Sequence, residues 1–244
     1  MTSIDKTVFV AGASGAVGRV LCQLLTADGW RVVGTTRSTA RAAALETIGV
    51  EPAIADVFDR DALFRVVGAA KPSVVVHQLT DLPKERDAER LAAALPHNAR
   101  LREVGTEHLV DATIAAGAKR LVAQSVAFNY APGPRPYREE APLETSATAL
   151  AHLEQLVLGG PFEGIVLRYG RFYGPRTWYD QPTGEAPVHV DAAADAARRA
   201  VTVGEPGIYN IAEDDGTVSS EKAKRVLGWR SSFRMTPREE GNGE

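Results

Sequence analysis

Most features that would mark this chain as a specialised protein are missing. It has one cysteine, Cys22, in 244 residues, which excludes an internal disulfide. With no second thiol to act with, Cys22 reads as a small core or boundary residue rather than a nucleophile or metal ligand. No run of about 18 apolar residues occurs, so no membrane span is expected. The net charge is only −3 and the basic residues are interleaved with acids, which leaves no cationic face for nucleic acid or an anionic membrane. MTSIDKT leads straight into a β-prone run, so no signal peptide is expected and cytoplasm is the expected compartment. There is no internal repeat. What remains is an ordinary globular composition, 44% hydrophobic and 24% charged, in a chain long enough to bury a full α/β core.

Within that plain background, residues 7 to 18, TVFVAGASGAVG, stand out. A β-prone run, Thr7 to Val10, leads into Gly12, Gly15 and Gly18. A helical pattern follows, with Val17, Val20, Leu21, Leu24 and Leu25 on one face. Strand, glycine turn and helix in that order make a phosphate cradle. Gly12 allows the sharp turn, Gly15 the close approach of a pyrophosphate, and Gly18 the close packing of helix on strand. The helix N-terminus adds unpaired N–H groups and partial positive charge. A dinucleotide is the expected ligand.

Strand-like runs then alternate with helical ones, the pattern of a doubly wound parallel sheet. Strands are expected at Thr7–Val10, Arg31–Thr36, Pro52–Ala55, Val74–His77, Arg120–Gln124 and Ile165–Arg168. Helices are expected at Ala16–Asp28, Ala40–Ile48, Asp61–Ala69, Ala99–Ala116 and Ala147–Leu158. Two loops rich in proline and glycine, 129–143 and 174–187, belong at the carboxyl edge of the sheet, where an open α/β sheet binds its ligands. The tail from Ser231 is polar and expected to fray. The division expected is a Rossmann core over 1–170 and a small substrate lobe over 171–244, interleaved with the core.

The end of the second strand ordinarily selects the nicotinamide cofactor, an acid there holding the ribose 2′-hydroxyl. Here the corresponding position is Thr36, followed by Arg37, and a guanidinium suits a 2′-phosphate. Arg41 could add a second positive charge. NADP(H) is therefore expected over NAD(H), the alternative being that Arg37 is a solvated surface arginine. Asp56 could accept the adenine amino group beside the Val57 backbone, or cap the helix that begins near Asp59.

These features together resemble the extended short-chain dehydrogenase/reductase superfamily, its epimerase/dehydratase-like group. VFVAGASGAVG resembles that group's glycine motif, ADVFD its adenine-contact motif, and VVVHQLTDL its fourth-strand motif. NARLREVGTEHLVDAT is similar to the helix carrying its structural asparagine, here Asn98, and VLRYGRFYGPR to the stretch after its sixth strand. VHVDAAADAA, YNIAED and SSEKAKRVLGW match later segments, so the resemblance covers nearly the whole chain. It implies a homodimer with a Rossmann domain and a smaller C-terminal lobe. With Arg37, read above from its place after the second strand, the residues expected at the cofactor are Gly12, Ser14, Gly15, Ala16, Val17, Gly18, Asp56, Val57 and Leu79.

The catalytic signature of that group does not follow. A Tyr-x-x-x-Lys pair serves it as proton donor, the lysine cation lowering the tyrosine pKa. Four residues beyond the six tyrosines stand Pro134, Ala141, Tyr173, Thr177, Thr183 and Glu213. No lysine occurs between Lys119 and Lys222. By spacing to Glu154, the pair's positions fall at Ser146 and Leu150, and the usual Ser/Thr position at Val126, next to Ser125. Only a short loop separates Arg176 from His189, too little to clasp a nucleotide-sugar.

Two classes of function meet these observations. The first is an atypical NADPH-dependent oxidoreductase acting on a small carbonyl or activated double bond. Ser125, Tyr130 and Tyr173 are its candidate donors to developing oxyanion charge, and His77 or His189 could reach the nicotinamide end. Each of these side chains could equally be a satisfied structural residue. The second is a non-catalytic NADP(H)-binding regulatory or sensor protein, which the missing pair favours. A nucleotide-sugar epimerase or dehydratase fits less well.

Overall fold

Alternation of side chains along a strand between two faces puts one apolar set on each side of a parallel sheet, and helices must cover both. The first strand, β1 (Thr7–Ala11), is buried throughout. Val8 and Val10 belong to one apolar core and Phe9 and Ala11 to another. The computed structural model describes residues 6–83 and 85–236; the amino-terminal residues before Lys6 and the last eight of the polar tail lie outside the described residues.

The six expected strands are all present, as β1, β2 (Arg31–Thr36), β3 (Glu51–Ile54), β4 (Val74–His77), β5 (Arg120–Val126) and β6 (Glu163–Tyr169). Two short strands, β7 (Arg171–Tyr173) and β8 (Pro187–His189), and a longer one, β9 (Gly207–Ile211), follow. The main sheet has seven strands in the order β3-β2-β1-β4-β5-β6-β9. All its pairings are parallel. The strand order reverses between β1 and β4, and a crevice opens there outside the carboxyl ends of the strands.

Helices α1 (Ala16–Ala27), α2 (Thr39–Glu46) and α3 (Arg60–Ala70) follow β1, β2 and β3. Between β4 and β5 run α4 (Ala88–Arg100), a π-helical turn (Leu101–Gly105) and α5 (Thr106–Ala115). α6 (Thr148–Gly159) precedes β6, α7 (Val190–Ala200) precedes β9, and α8 (Glu221–Leu227) closes the described chain. Leu21 and Leu25 of α1 and the alanines of α7 fill the core on one face. Leu63, Val67, Leu109 and Leu153 of α3, α5 and α6 fill the other. Each fully buried leucine or valine contributes about 1.5–3 kcal/mol by leaving water.

The segment between β4 and β5 departs from its expected course. The helical pattern there begins at Ala99, three residues past Pro96, yet α4 already runs from Ala88, with Pro96 inside it. Asp87 starts it, its side chain accepting from the Arg90 N–H. Pro96, itself exposed, stands inside the helix although it brings no N–H to it.

Residues past 170 divide their work. β9 completes the main sheet and α7 packs on α1. β7 and β8 form a separate two-stranded sheet, and Tyr130, Ala186, Ala212 and Val218 form a small satellite core beside it. No helix among the described residues is long and apolar enough to cross a membrane.

Candidate functional site

The crevice has a volume of about 1160 Å³ and runs from the ends of β1, β2 and β3 to those of β5 and β6. Its floor at the β1 end is the glycine turn. Gly12 has φ +90, and a Cβ there would stand 2.6 Å from the Gln78 carbonyl oxygen of the β4 exit. A Cβ on Gly18 would stand 2.2 Å from the Gly12 oxygen, so that residue alone lets α1 press against the turn. Gly15 occupies the N-cap of α1 with no side chain to bond the helix's first N–H groups, which are thus free for an anion. A phosphate cradle that any side chain would fill fits a dinucleotide.

Gly12, Ser14, Gly15 and Ala16 line the crevice. Val17 does not: its side chain lies in the core and only its backbone is near the helix start. Asp56, Val57 and Leu79 line it as well. The helix-capping alternative for Asp56 is taken by Asp59, which accepts from the Ala62 N–H at 2.9 Å. Asp56 instead turns the chain by accepting from the Phe58 N–H with one oxygen.

Arg37 reaches the crevice but is engaged. Its guanidinium meets Asp81, in the loop after β4, at 3.0 and 3.4 Å. Asn98 holds that aspartate by accepting from its N–H, and His97 Nε2 stands 3.0 Å from its Oδ2 in a poor alignment for hydrogen bonding. Arg41 lines the crevice with no partner among the described residues. Opposite, the Trp178 indole donates to the Pro83 carbonyl at 2.8 Å, tying loop 174–187 across the mouth to the loop after β4.

The candidate donors lie elsewhere. Ser125 donates to Glu154 Oε1 at 2.7 Å. Glu154 is gripped by Arg168 through two bonds of 2.6 and 2.8 Å. Arg168 donates also to Tyr130, which donates in turn to Asn210 Oδ1 at 2.5 Å. This buried chain of polar groups staples β5, α6, β6 and β9 to loop 129–143, and neither Ser125 nor Tyr130 lines the crevice. Burial pushes the Tyr130 hydroxyl pKa up. Tyr173 lies outside the crevice too, donating to Glu213 and accepting from Arg234, and burial with the Glu213 carboxylate pushes its pKa up to about 12.

The histidines are equally occupied. His77 is fully buried, its Nδ1 accepting from the Leu79 N–H at 3.2 Å, so Nε2 carries the proton toward Thr106 Oγ1 at 3.0 Å. Burial, with Arg102 nearby, pushes its pKa down to about 4, so it is neutral and serves to fix the β4 exit. His189 accepts from the Asp191 N–H at the start of α7.

At the reaction end the spacing positions hold no relay. Ser146 is exposed on the turn before α6. Leu150 is 3% exposed and packs with Val126, Ala147 and Leu143 in an apolar cluster. α6, TALAHLEQLVLG, contains neither tyrosine nor lysine. The crevice takes its polarity instead from Gln78 and Gln124, which the sequence did not single out, and from Tyr179 and above all arginine. Seven arginines line it against Asp56, Asp81 and Glu185. A cationic cleft in a chain of net charge −3 is a local device for anionic ligands.

A glycine cradle at the switch point of a seven-stranded parallel sheet defines a Rossmann-type dinucleotide-binding protein. The chain belongs to the NAD dependent epimerase/dehydratase family, whose model matches residues 8–203. It is 38% identical to a "3-diazoavenalumate denitrifying reductase" from Streptomyces sp, over 94% of this chain and 90% of the relative. In structure it is similar to the UDP-glucose 4-epimerase of Bifidobacterium longum in complex with NAD+ and UDP, with TM-score 0.78 and 18% identity over 93% of this chain and 94% of that one. The Thermus thermophilus UDP-glucose 4-epimerase complex with NAD gives TM-score 0.75 and 20% identity over 94% and 95%. These likenesses fix the fold. Family and cradle together support a nicotinamide dinucleotide as cofactor.

Proposed function

We propose that this protein is a nicotinamide-dinucleotide-dependent reductase of a small carboxylate-bearing electrophile whose reduction needs no proton from the protein. The observation that carries this is the apolar cluster of Leu150, Val126 and Ala147, on the helix and strand where a proton relay would stand. Carbonyl reduction leaves an alkoxide that needs a proton donor at hand. The reduction of an arenediazonium ion leaves none. The ring carbon gains hydride, the C–N bond breaks with its electron pair going to nitrogen, and N2 departs: Ar–N2+ plus NAD(P)H yields Ar–H, N2 and NAD(P)+. The Streptomyces relative, a denitrifying reductase of a diazo compound, supports this reading.

When bound, the dinucleotide supplies the hydride. The protein's part is to position and exclude. Gly12, Gly15 and the α1 N-terminus hold the pyrophosphate, and Asp56 with Val57 the adenine. The Trp178–Pro83 tether covers the mouth, and Val126, Phe128 and Phe172 of the lining limit water around the acceptor. The preferred dinucleotide is NADP(H), because Thr36 stands where an acid would hold the ribose, and Arg41, with Arg37 once it exchanges Asp81 for the ligand, can meet a 2′-phosphate. A small carbonyl or activated double bond is the competing substrate, and a non-catalytic NADP(H) sensor the competing class.

The test is dinucleotide oxidation, above the enzyme-free rate, with carboxylated arenediazonium ions beside aldehydes, ketones, quinones and imines. Turnover confined to the diazonium ions is the expected result. Ketone turnover without diazonium turnover would overturn the proton-free reading. Micromolar NADPH binding with no turnover on any acceptor would favour the sensor.

A further inference from the structure

Six arginines of the described chain are not exposed: Arg19, Arg102, Arg120, Arg168, Arg198 and Arg199. Five have partners. Arg19 donates to the Ala44 carbonyl, Arg120 to Glu163 and three carbonyls, Arg168 to Glu154, and Arg198 and Arg199 to Asp195. Arg102 has no hydrogen bond or ion pair among the described residues, and it lines the crevice. A partly buried guanidinium without an acceptor is costly, and burial accordingly pulls its pKa below the ordinary arginine value.

The backbone around it is specialised. Arg102 lies in the π-helical turn Leu101–Gly105, a conformation that is rare and concentrates at functional sites. Leu101 and Gly105 on either side are buried, and a Cβ on Gly105 would stand 3.1 Å from Val57 Cγ1, so the turn is seated firmly behind the β3 and β4 exits. His77 beside it is neutral and fully hydrogen-bonded, so it neither accepts from the guanidinium nor adds a second positive charge. The protein therefore holds a positive charge in place for something it does not itself contain.

We infer that Arg102 is the anchor for an oxyanion group brought into the crevice by a bound ligand, where it forms the charge-assisted pair the free protein lacks. Two ligand groups have this chemistry. The glycine turn abuts the β4 exit, so the dinucleotide pyrophosphate is one source. The other is the carboxylate of the substrate, and that branch rests on the reductase reading above.

The experiment compares the native protein with Arg102→Met, which keeps the apolar stem, and Arg102→Lys, which keeps the charge. Calorimetry with ADP and adenosine isolates the pyrophosphate; thermal protection by benzoate and benzamide, in the presence of NADPH, isolates the carboxylate. Neither needs turnover, so the result stands apart from whether the protein is a reductase. The inference expects Arg102→Met to lose at least tenfold in affinity for ADP with adenosine unchanged, or to lose the benzoate-over-benzamide preference with ADP unchanged. The first outcome names the pyrophosphate and the second the substrate. Arg102→Lys recovers most of either loss. Freed of a buried unpaired charge, ligand-free Arg102→Met melts about 2–4 °C higher. ADP affinity and benzoate preference both within twofold of native would overturn the inference. So would a lowered melting temperature with equal losses for ADP and adenosine, which marks a structural residue.

Discussion

The two ends of the crevice are built on opposite principles. At the β1 end the chain is stripped of side chains: three glycines and an uncapped helix leave backbone N–H groups facing outward for a ligand. At the β5 end the strand and helix that face each other are filled, with Leu150 and Val126 packed together and Ser125 turned away to Glu154. The first arrangement binds charge through the backbone and tolerates no substitution. The second presents only Val126 of its apolar cluster to the crevice, and its polar groups are spent on scaffolding. On the proposed function, such a site would orient its acceptor without protonating it.

The contrast can be broken most severely at the glycine end. Gly12→Ala puts a Cβ against the Gln78 carbonyl in a backbone conformation that L-residues avoid, and we expect dinucleotide binding to fall at least 100-fold, about 2.7 kcal/mol. Calorimetric binding at native affinity would show that the turn is not the seat. At the other end, Glu154→Gln strands the Arg168 guanidinium among buried groups and should cost about 3–5 kcal/mol in urea denaturation. The folded variant should keep its kcat within a few-fold, and a large selective loss of kcat would return Ser125 and its neighbours to catalysis.

Between the two ends lies His77. Its pKa, about 4 in the fold, is depressed from an ordinary value near 6.5, so the native state refuses a proton that the unfolded chain accepts. Above pH 6.5 the group contributes no pH dependence. As pH falls from 6.5 to 4, stability declines by up to about 3 kcal/mol, and the slope ends below 4. His77→Gln should flatten that part of the denaturation profile. The smallest effect is expected at Asp81. Its exposed pair with Arg37 is worth about 1 kcal/mol or less, so Asp81→Asn should raise NADPH affinity about three- to five-fold by freeing the guanidinium, with NADH unchanged. An equal response of both cofactors would remove Arg37 from 2′-phosphate recognition.

Periodicity made the first six strands readable, because buried parallel strands are continuous apolar runs. It also made α1 and α3 readable, from their apolar stripes. β7, β8 and β9 were not assigned: two are only three residues long, and β9 finds its place solely through β6. The early start of α4 was hidden behind Pro96, and a π-helical turn has no local signature. At the site, the glycines and Asp56 were legible because their roles are backbone geometry and local turns. Ser125, Tyr130 and Tyr173 were misleading as crevice donors for the converse reason: their partners stand 29, 80 and 40 residues away.

By itself the sequence determined that a dinucleotide cradle opens a doubly wound sheet and that no Tyr-x-x-x-Lys pair accompanies it, since both are statements about residues a few positions apart. Tertiary structure decided which polar groups are spent and which are free. Arg168 and Arg102 are the same residue type in a string. Only folding brings Glu154 to the first and leaves the second facing the crevice without a counter-charge, because electrostatic pairing acts through space and burial sets its strength.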